Sequence, residues 1–171
     1  LGFFHNAKAD AKLAYGAERQ AILSVNKGKQ ALETIASWPK YQVTDLHELT
    51  VMAEQANINQ IYYKDESKRF DLKSFKALGG AYAVTRFLQQ HLEQLNGEQP
   101  TMAQLLSGQF KAQLQDVVVT CATDGNHGRS VAWGSQMFGC QCIIYIHRDV
   151  SVGRQAAMEA YAAKVIRITG N

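Results

Sequence analysis

The sequence predicts an α/β protein built on an open parallel sheet. Three observations carry that expectation. Toward the C-terminus, apolar strand-length runs at 117–121, 142–146 and 165–169 alternate with helix-length segments at 126–138 and 151–162. The runs are continuously apolar, the pattern of strands buried on both faces in parallel sheets. The order βαβαβ brings right-handed crossovers, and with them a ligand site beyond the carboxyl ends of the strands.

The remaining elements follow in chain order. Residues up to about 22 read as weakly helical or irregular. Ser24 is an N-cap candidate for a helix carrying Ala31, Leu32, Ile35 and Trp38 at helical spacing, stopped by Pro39. A second helix is expected at 44–57, with Leu46, Leu49, Met52, Ala53 and Ala56 as its apolar face. A short strand at 60–64 follows, and then a polar loop at 65–73. Ser74 is expected to cap a long helix in which Leu78, Ala81, Tyr82, Thr85, Leu88, Leu92 and Leu95 recur at three- and four-residue intervals, ended by Asn96-Gly97. Thr101 opens a helix with Met102, Leu105, Leu106 and Phe110 on one face. Ser151 caps the helix at 151–162, and Gly139 closes the one before it.

Composition excludes several classes of function. Of 171 residues, 46% are hydrophobic and 19% charged, so disorder is not the main state. No run approaches the ~20 apolar residues that span a bilayer, so no membrane partner is expected. The N-terminus lacks a basic leader, an apolar core and a cleavage site, which predicts no secretory signal and a cytoplasmic protein, although the chain does not begin with Met. Net charge is +3, and the basic stretch at 64–76 is interrupted by Asp65, Glu66 and Asp71, so no nucleic-acid partner is expected. Cys121, Cys140 and Cys142 make neither a disulfide framework nor a zinc set and read as buried reduced thiols. His5, His47, His91 and His147 lack ligand spacing, and no metal site is expected. Ser130 has no nucleophile-elbow context, and phosphate-loop and dinucleotide glycine signatures are absent.

Two segments could carry chemistry. In Ser74-Phe75-Lys76-Ala77-Leu78-Gly79-Gly80, Lys76 lies in the first turn of the long helix. The two glycines after it each cost ~1 kcal/mol relative to alanine and permit close approach of a backbone or ligand. The positive end of the helix dipole and desolvation would both favour the neutral amine that Schiff-base chemistry needs. The alternative is a surface lysine beside a packing glycine pair. The second segment, Thr123-Asp124-Gly125-Asn126-His127-Gly128-Arg129, joins a strand to a helix N-terminus, whose unpaired N–H groups make an anion site. The alternative there is a helix simply capped by Asp124 or Asn126.

Together these segments resemble the fold-type II pyridoxal phosphate enzymes, among them threonine dehydratase and the tryptophan synthase β chain. The likeness is greatest to the diaminopropionate ammonia-lyases. Three runs carry it: Lys64-Asp65-Glu66-Ser67-Lys68-Arg69-Phe70, Phe75-Lys76-Ala77-Leu78-Gly79-Gly80-Ala81-Tyr82-Ala83 and Thr123-Asp124-Gly125-Asn126-His127-Gly128-Arg129-Ser130-Val131-Ala132-Trp133. Aspartate ahead of Gly-Asn-His-Gly is the discriminating feature.

The resemblance implies an open parallel three-layer sheet, incomplete here, with residues 1–80 in the large cofactor domain and 81–171 in the small α/β domain. Lys76 resembles the lysine that carries pyridoxal 5'-phosphate as a Schiff base, and Asn126 the asparagine that contacts the cofactor ring oxygen. Thr123, Gly125, Asn126 and His127 would hold the carboxylate of a small amino-acid substrate. The implied reaction is α,β-elimination of 2,3-diaminopropionate to pyruvate and ammonia, with Lys76 and Asp124 as bases on opposite faces of the Cα, for the L- and D-isomers respectively. A homodimer is implied for the full-length protein.

Two departures from the pattern are visible. Val43-Thr44-Asp45-Leu46 stands where the family has Pro-Thr-Pro-Leu. The glycine-rich phosphate loop and the residue facing the pyridine nitrogen are not found before Asn171. The expectation is therefore a chain cut in mid-fold and inactive or nearly so by itself. The competing readings are a threonine or serine dehydratase-like lyase and a non-catalytic truncated interaction module.

Overall fold

The computed structural model describes residues 4–10 and 12–169. Expectations resting on residues 1–3 and on Gly170 and Asn171 lie outside the described residues. The chain divides into two compact units, Leu1–Glu33 and Thr34–Asn171. In the first, α1 (Ala17–Ile22) has no buried residue, in keeping with its weak pattern. The Tyr15 hydroxyl donates to the Leu23 carbonyl at 2.7 Å. Helix α2 (Val25–Ala36) opens at Ser24, whose Oγ accepts the Lys27 N–H at 3.2 Å, and ends before Pro39.

In the second unit the helix expected at 44–57 is replaced by two elements. β1 (Leu46–Glu48) pairs antiparallel with β2 (Tyr62–Lys64), and only Thr50–Ala56 forms a helix, α3. The ladder with β2 overrides the helical spacing. Leu46 and Met52 are consequently exposed, and Ala53 is the buried member of that face. The long helix α4 (Lys76–Asn96) is as expected, closed by Gly97 in the left-handed region. Its N-cap is Phe75 rather than Ser74, and Leu95 is exposed. The helix expected from Thr101 through Phe110 is split into α5 (Met102–Leu106) and α6 (Lys111–Leu114), because Gly108 takes φ +78°. Thr101 and Gln104 form a reciprocal capping box.

The C-terminal alternation is the predicted one. β3 (Val118–Ala122), β4 (Gln141–His147) and β5 (Lys164–Ile168) form a parallel sheet in the order β3-β4-β5. They are joined by α7 (Asn126–Phe138) and α8 (Val152–Glu159). Burial on both faces is not found. Cys142, Ile144 and Ile146 are buried, whereas Val118, Tyr145 and Ile168 are exposed. Two right-handed crossovers proceeding the same way across a sheet put both helices on one face. The other face is uncovered among the described residues. Cys140 and Cys142 are buried and Cys121 half-buried, all three free, and burial pushes the Cys142 thiol up to about 11.

One core cluster gathers Leu88, Leu92, Leu105, Leu114, Phe138, Ile144, Ile146 and Met158 between α4, α7, α8 and the sheet. Each such side chain contributes roughly 1.5–3 kcal/mol. The α4–α7 contact is close because glycine sits on both sides of it. A Cβ on Gly80 would stand 2.5 Å from Ser130 Oγ, and one on Gly134 would stand 2.9 Å from Ala81 Cα. A second cluster joins Trp38, Phe70, Leu72, Ala77 and Ala81, with Trp133 of α7 against it. Phe70 and Trp133 lie 4.7 Å apart between ring centroids, and Trp38 and Trp133 5.7 Å. This aromatic group pins the 65–75 segment beside the start of α4. Residue 80, where a division between domains is expected, falls within α4, which runs unbroken to Asn96.

Candidate active site

The segment leading to Lys76 is more than a polar loop. Arg69, 6% exposed, donates from Nε to Glu66 Oε2 at 2.7 Å and from Nη2 to Glu66 Oε1 and Thr44 Oγ1, both at 2.9 Å. Its Nη1 donates to the Gln42 carbonyl at 2.8 Å, and Thr44 Oγ1 donates to Glu66 Oε1 at 2.6 Å. The Arg69 hydrogen bond holds the Glu66 carboxyl below the usual range, against partial burial and with help from Thr44. Beyond this network, Phe70, Asp71 and Lys73 take φ of 50°, 61° and 53°. Left-handed conformations cost non-glycine residues energy and persist where surrounding contacts over-determine them.

Lys76 is the first residue of α4 and is exposed. Its N–H donates to Ser74 Oγ at 3.2 Å. Among the described residues its side chain forms no ion pair, whereas neighbouring Lys68 pairs with Asp45 at 3.0 Å and Lys64 Nζ donates to the Thr44 carbonyl. One turn on, a Cβ at Gly79 would meet no atom within 4 Å. Packing therefore accounts for Gly80 and leaves the space at Gly79 open.

The second segment follows β3. Thr123 Oγ1 accepts the N–H groups of Gly125 and Gly128, both at 3.3 Å, and Gly125 is the N-cap of α7 without a side-chain cap. Capping by Asp124 or Asn126 is thus not what places them here. Asp124 is exposed, with Oδ2 4.0 Å from Arg154 Nη1, and its carbonyl accepts from the same Nη1 at 3.3 Å. Gly125 and Asn126 line a cavity of about 280 Å³ with Arg129, Ser151 and Arg154. His127 lines a different cavity, of about 390 Å³, between α4, α7 and the free edge of β3. Lys76 lines neither, and no hydrogen bond or ion pair joins it to Asp124 among the described residues.

The two segments are joined through α7. Arg129 Nη1 and Nη2 donate to the Leu72 and Asp71 carbonyls at 3.2 and 3.3 Å. Ser130 Oγ accepts the Ala81 N–H and donates to the Ala77 carbonyl, both at 3.1 Å. Sequence reasoning quoted Arg129 and Ser130 within the motif runs but gave them no positioning role, and it missed Arg154 and the Glu66–Arg69–Thr44 network. The signal available was Arg69 three residues after Glu66, a charge pair that a loop in solvent would not need.

An open α/β fold, a polar turn at the carboxyl end of a parallel strand and a lysine whose flanking peptides are tied to the helix that follows that turn fit a small-molecule enzyme. The comparisons agree with that class. The family described as pyridoxal-phosphate dependent enzyme matches residues 38–171, and the chain belongs to it. Diaminopropionate ammonia-lyase of Salmonella typhimurium is 35% identical over 144 residues, covering 84% of this chain and 35% of that protein. The crystal structure of Escherichia coli diaminopropionate ammonia lyase in apo form superposes with a TM-score of 0.75 at 32% identity, over 85% of this chain and 38% of that one. The same lyase in complex with an aminoacrylate-PLP azomethine reaction intermediate gives 0.71 at 31%, over 86% and 35%. The chain therefore spans a little over a third of the length of these relatives. The fold-type II arrangement expected from the motifs is borne out. No helix among the described residues is long and apolar enough to cross a membrane.

Proposed function

We propose that this chain is part of a pyridoxal phosphate-dependent lyase that converts 2,3-diaminopropionate and water to pyruvate and two molecules of ammonia. The observation that carries the proposal is the anchoring of the peptides on both sides of Lys76 to the helix that begins at the Asp124–His127 turn. The residues fit the cofactor: a lysine side chain without an ion pair among the described residues, open space beside Gly79, and the exposed N-terminus of α7 for an anion. When bound, the cofactor supplies an electron sink for charge developing at the substrate Cα.

Lys76 would hold the cofactor through its Nζ and carry a proton on one face of that Cα. The Asp124 carboxylate would carry one on the opposite face, once substrate draws it away from Arg154. Thr123, Gly125, Asn126 and His127 would orient the substrate carboxylate, with Asn126 also facing the cofactor ring oxygen. A cytoplasmic location and a homodimer for the full-length protein belong to the same proposal, and support for them is analogy with the family.

Asp124→Asn in the complete protein tests the two-base arrangement. Pyruvate release from D-diaminopropionate is expected to fall about 100-fold or more, with the L-isomer less affected. Equal losses on both isomers would contradict it. Faster release of 2-oxobutyrate from threonine than of pyruvate from diaminopropionate by the parent protein would move the assignment to a dehydratase.

A further inference from the structure

Resting on the function proposed above, we infer that Arg129 and Ser130 are positioning residues: a two-point clamp that fixes the Lys76 amine relative to the Asp124–His127 turn. Both belong to the first turns of α7, three and four residues after Asn126. Their partners bracket Lys76, with the Asp71 and Leu72 carbonyls before it and the Ala77 carbonyl and Ala81 N–H after it.

The Ser130 contact is unusual for a packing serine. Ala77 C=O and Ala81 N–H stand four residues apart in α4 and would ordinarily bond to each other. The Ser130 hydroxyl, 1% exposed, accepts from one and donates to the other. Ser130 thus ties two backbone groups of the first turns of α4 to α7, on the C-terminal side of Lys76. Gly80 makes this close approach possible, since any Cβ there would collide with Ser130 Oγ and Cβ.

Arg129 acts on the other side. Its two terminal nitrogens reach successive carbonyls of the segment in which Phe70, Asp71 and Lys73 are left-handed. The guanidinium also lies 5.9 Å over the Tyr161 ring. The fork geometry spans both carbonyls, which a lysine ammonium cannot do in the same way.

Apolar packing does not require either contact. Gly134 against Ala81 and Trp133 against Phe70 already join α7 to α4 and to the preceding segment. The polar clamp adds register to a contact that apolar burial leaves free to slide.

The test uses the complete protein loaded with pyridoxal phosphate and compares the parent with Ser130→Ala and Arg129→Lys. Thermal melting, borohydride-fixed pyridoxyl on Lys76, the visible circular dichroism of the bound cofactor, kcat and KM are measured on each. In Ser130→Ala, Ala77 and Ala81 can bond directly, so melting and labelling should stay close to the parent. The cofactor dichroism should change, and kcat should drop about 100-fold while KM moves little, as for a small misplacement of reacting groups. Parental dichroism and kcat in both folded variants would overturn the clamp. Should Ser130→Ala not fold, Arg129→Lys decides alone on the same two readouts. A parent protein that takes no label at Lys76 would instead overturn the lyase reading, and the clamp with it.

Discussion

Lys76→Ala is expected to reduce diaminopropionate turnover by the complete protein about a thousandfold or more, with the fold intact. The side chain is exposed, forms no ion pair among the described residues, and stands at the first position of α4, where alanine is a good helix former. Its removal therefore takes away the amine that would hold the cofactor and little else. Steady-state pyruvate release and a thermal melt on the same sample separate the two effects. Retention of more than a tenth of the parental rate would assign the cofactor to another group.

Glu66→Gln is expected to be the most destabilising of the single changes considered, by about 3 kcal/mol, because it leaves the Arg69 guanidinium buried without its counter-charge. The two side chains are 15% and 7% exposed, so solvent cannot replace the lost partner. The same pair gives stability a pH dependence of definite sign. The Arg69 hydrogen bond lowers the Glu66 value from its ordinary 4.5. The contribution is then complete above that ordinary value and is lost as pH falls through the lower folded one. Urea midpoints from pH 7 to pH 3 should show the parent losing stability into acid. The Gln variant should start lower and lack that component. Parallel curves would mean that the pair does not report on folding.

Much of the fold was legible because its signals are local. Apolar strands alternating with capped helices, Gly97 and Gly139 as left-handed stops, and the Thr101–Gln104 box are written in consecutive residues. What was not legible depends on partners distant in sequence. Leu46–Glu48 becomes a strand only because Tyr62–Lys64 is there to pair with it. Burial on one face of the sheet follows from the strand order, which continuous apolarity does not reveal. At the site, residue types pointed to Lys76 and to the 123–127 turn. Arg129 and Ser130, which organise them, bond to backbone carbonyls and amides, and such groups leave no compositional trace; Arg69 bonds chiefly to Glu66 and Thr44, and only its spacing from Glu66 could have signalled it. Asp124 was read as a facing base and is seen beside Arg154. That pairing lies across a strand–helix junction 30 residues on.

The central claim is that Lys76 is the residue that carries the cofactor. The most direct test is to load the complete protein with pyridoxal phosphate, reduce it with borohydride, digest it and map the pyridoxyl group by mass spectrometry. One label per chain on the peptide containing Lys76 is the predicted result. Pyridoxyl on Lys64, Lys68 or Lys73 in its place, or none on any peptide, would contradict it.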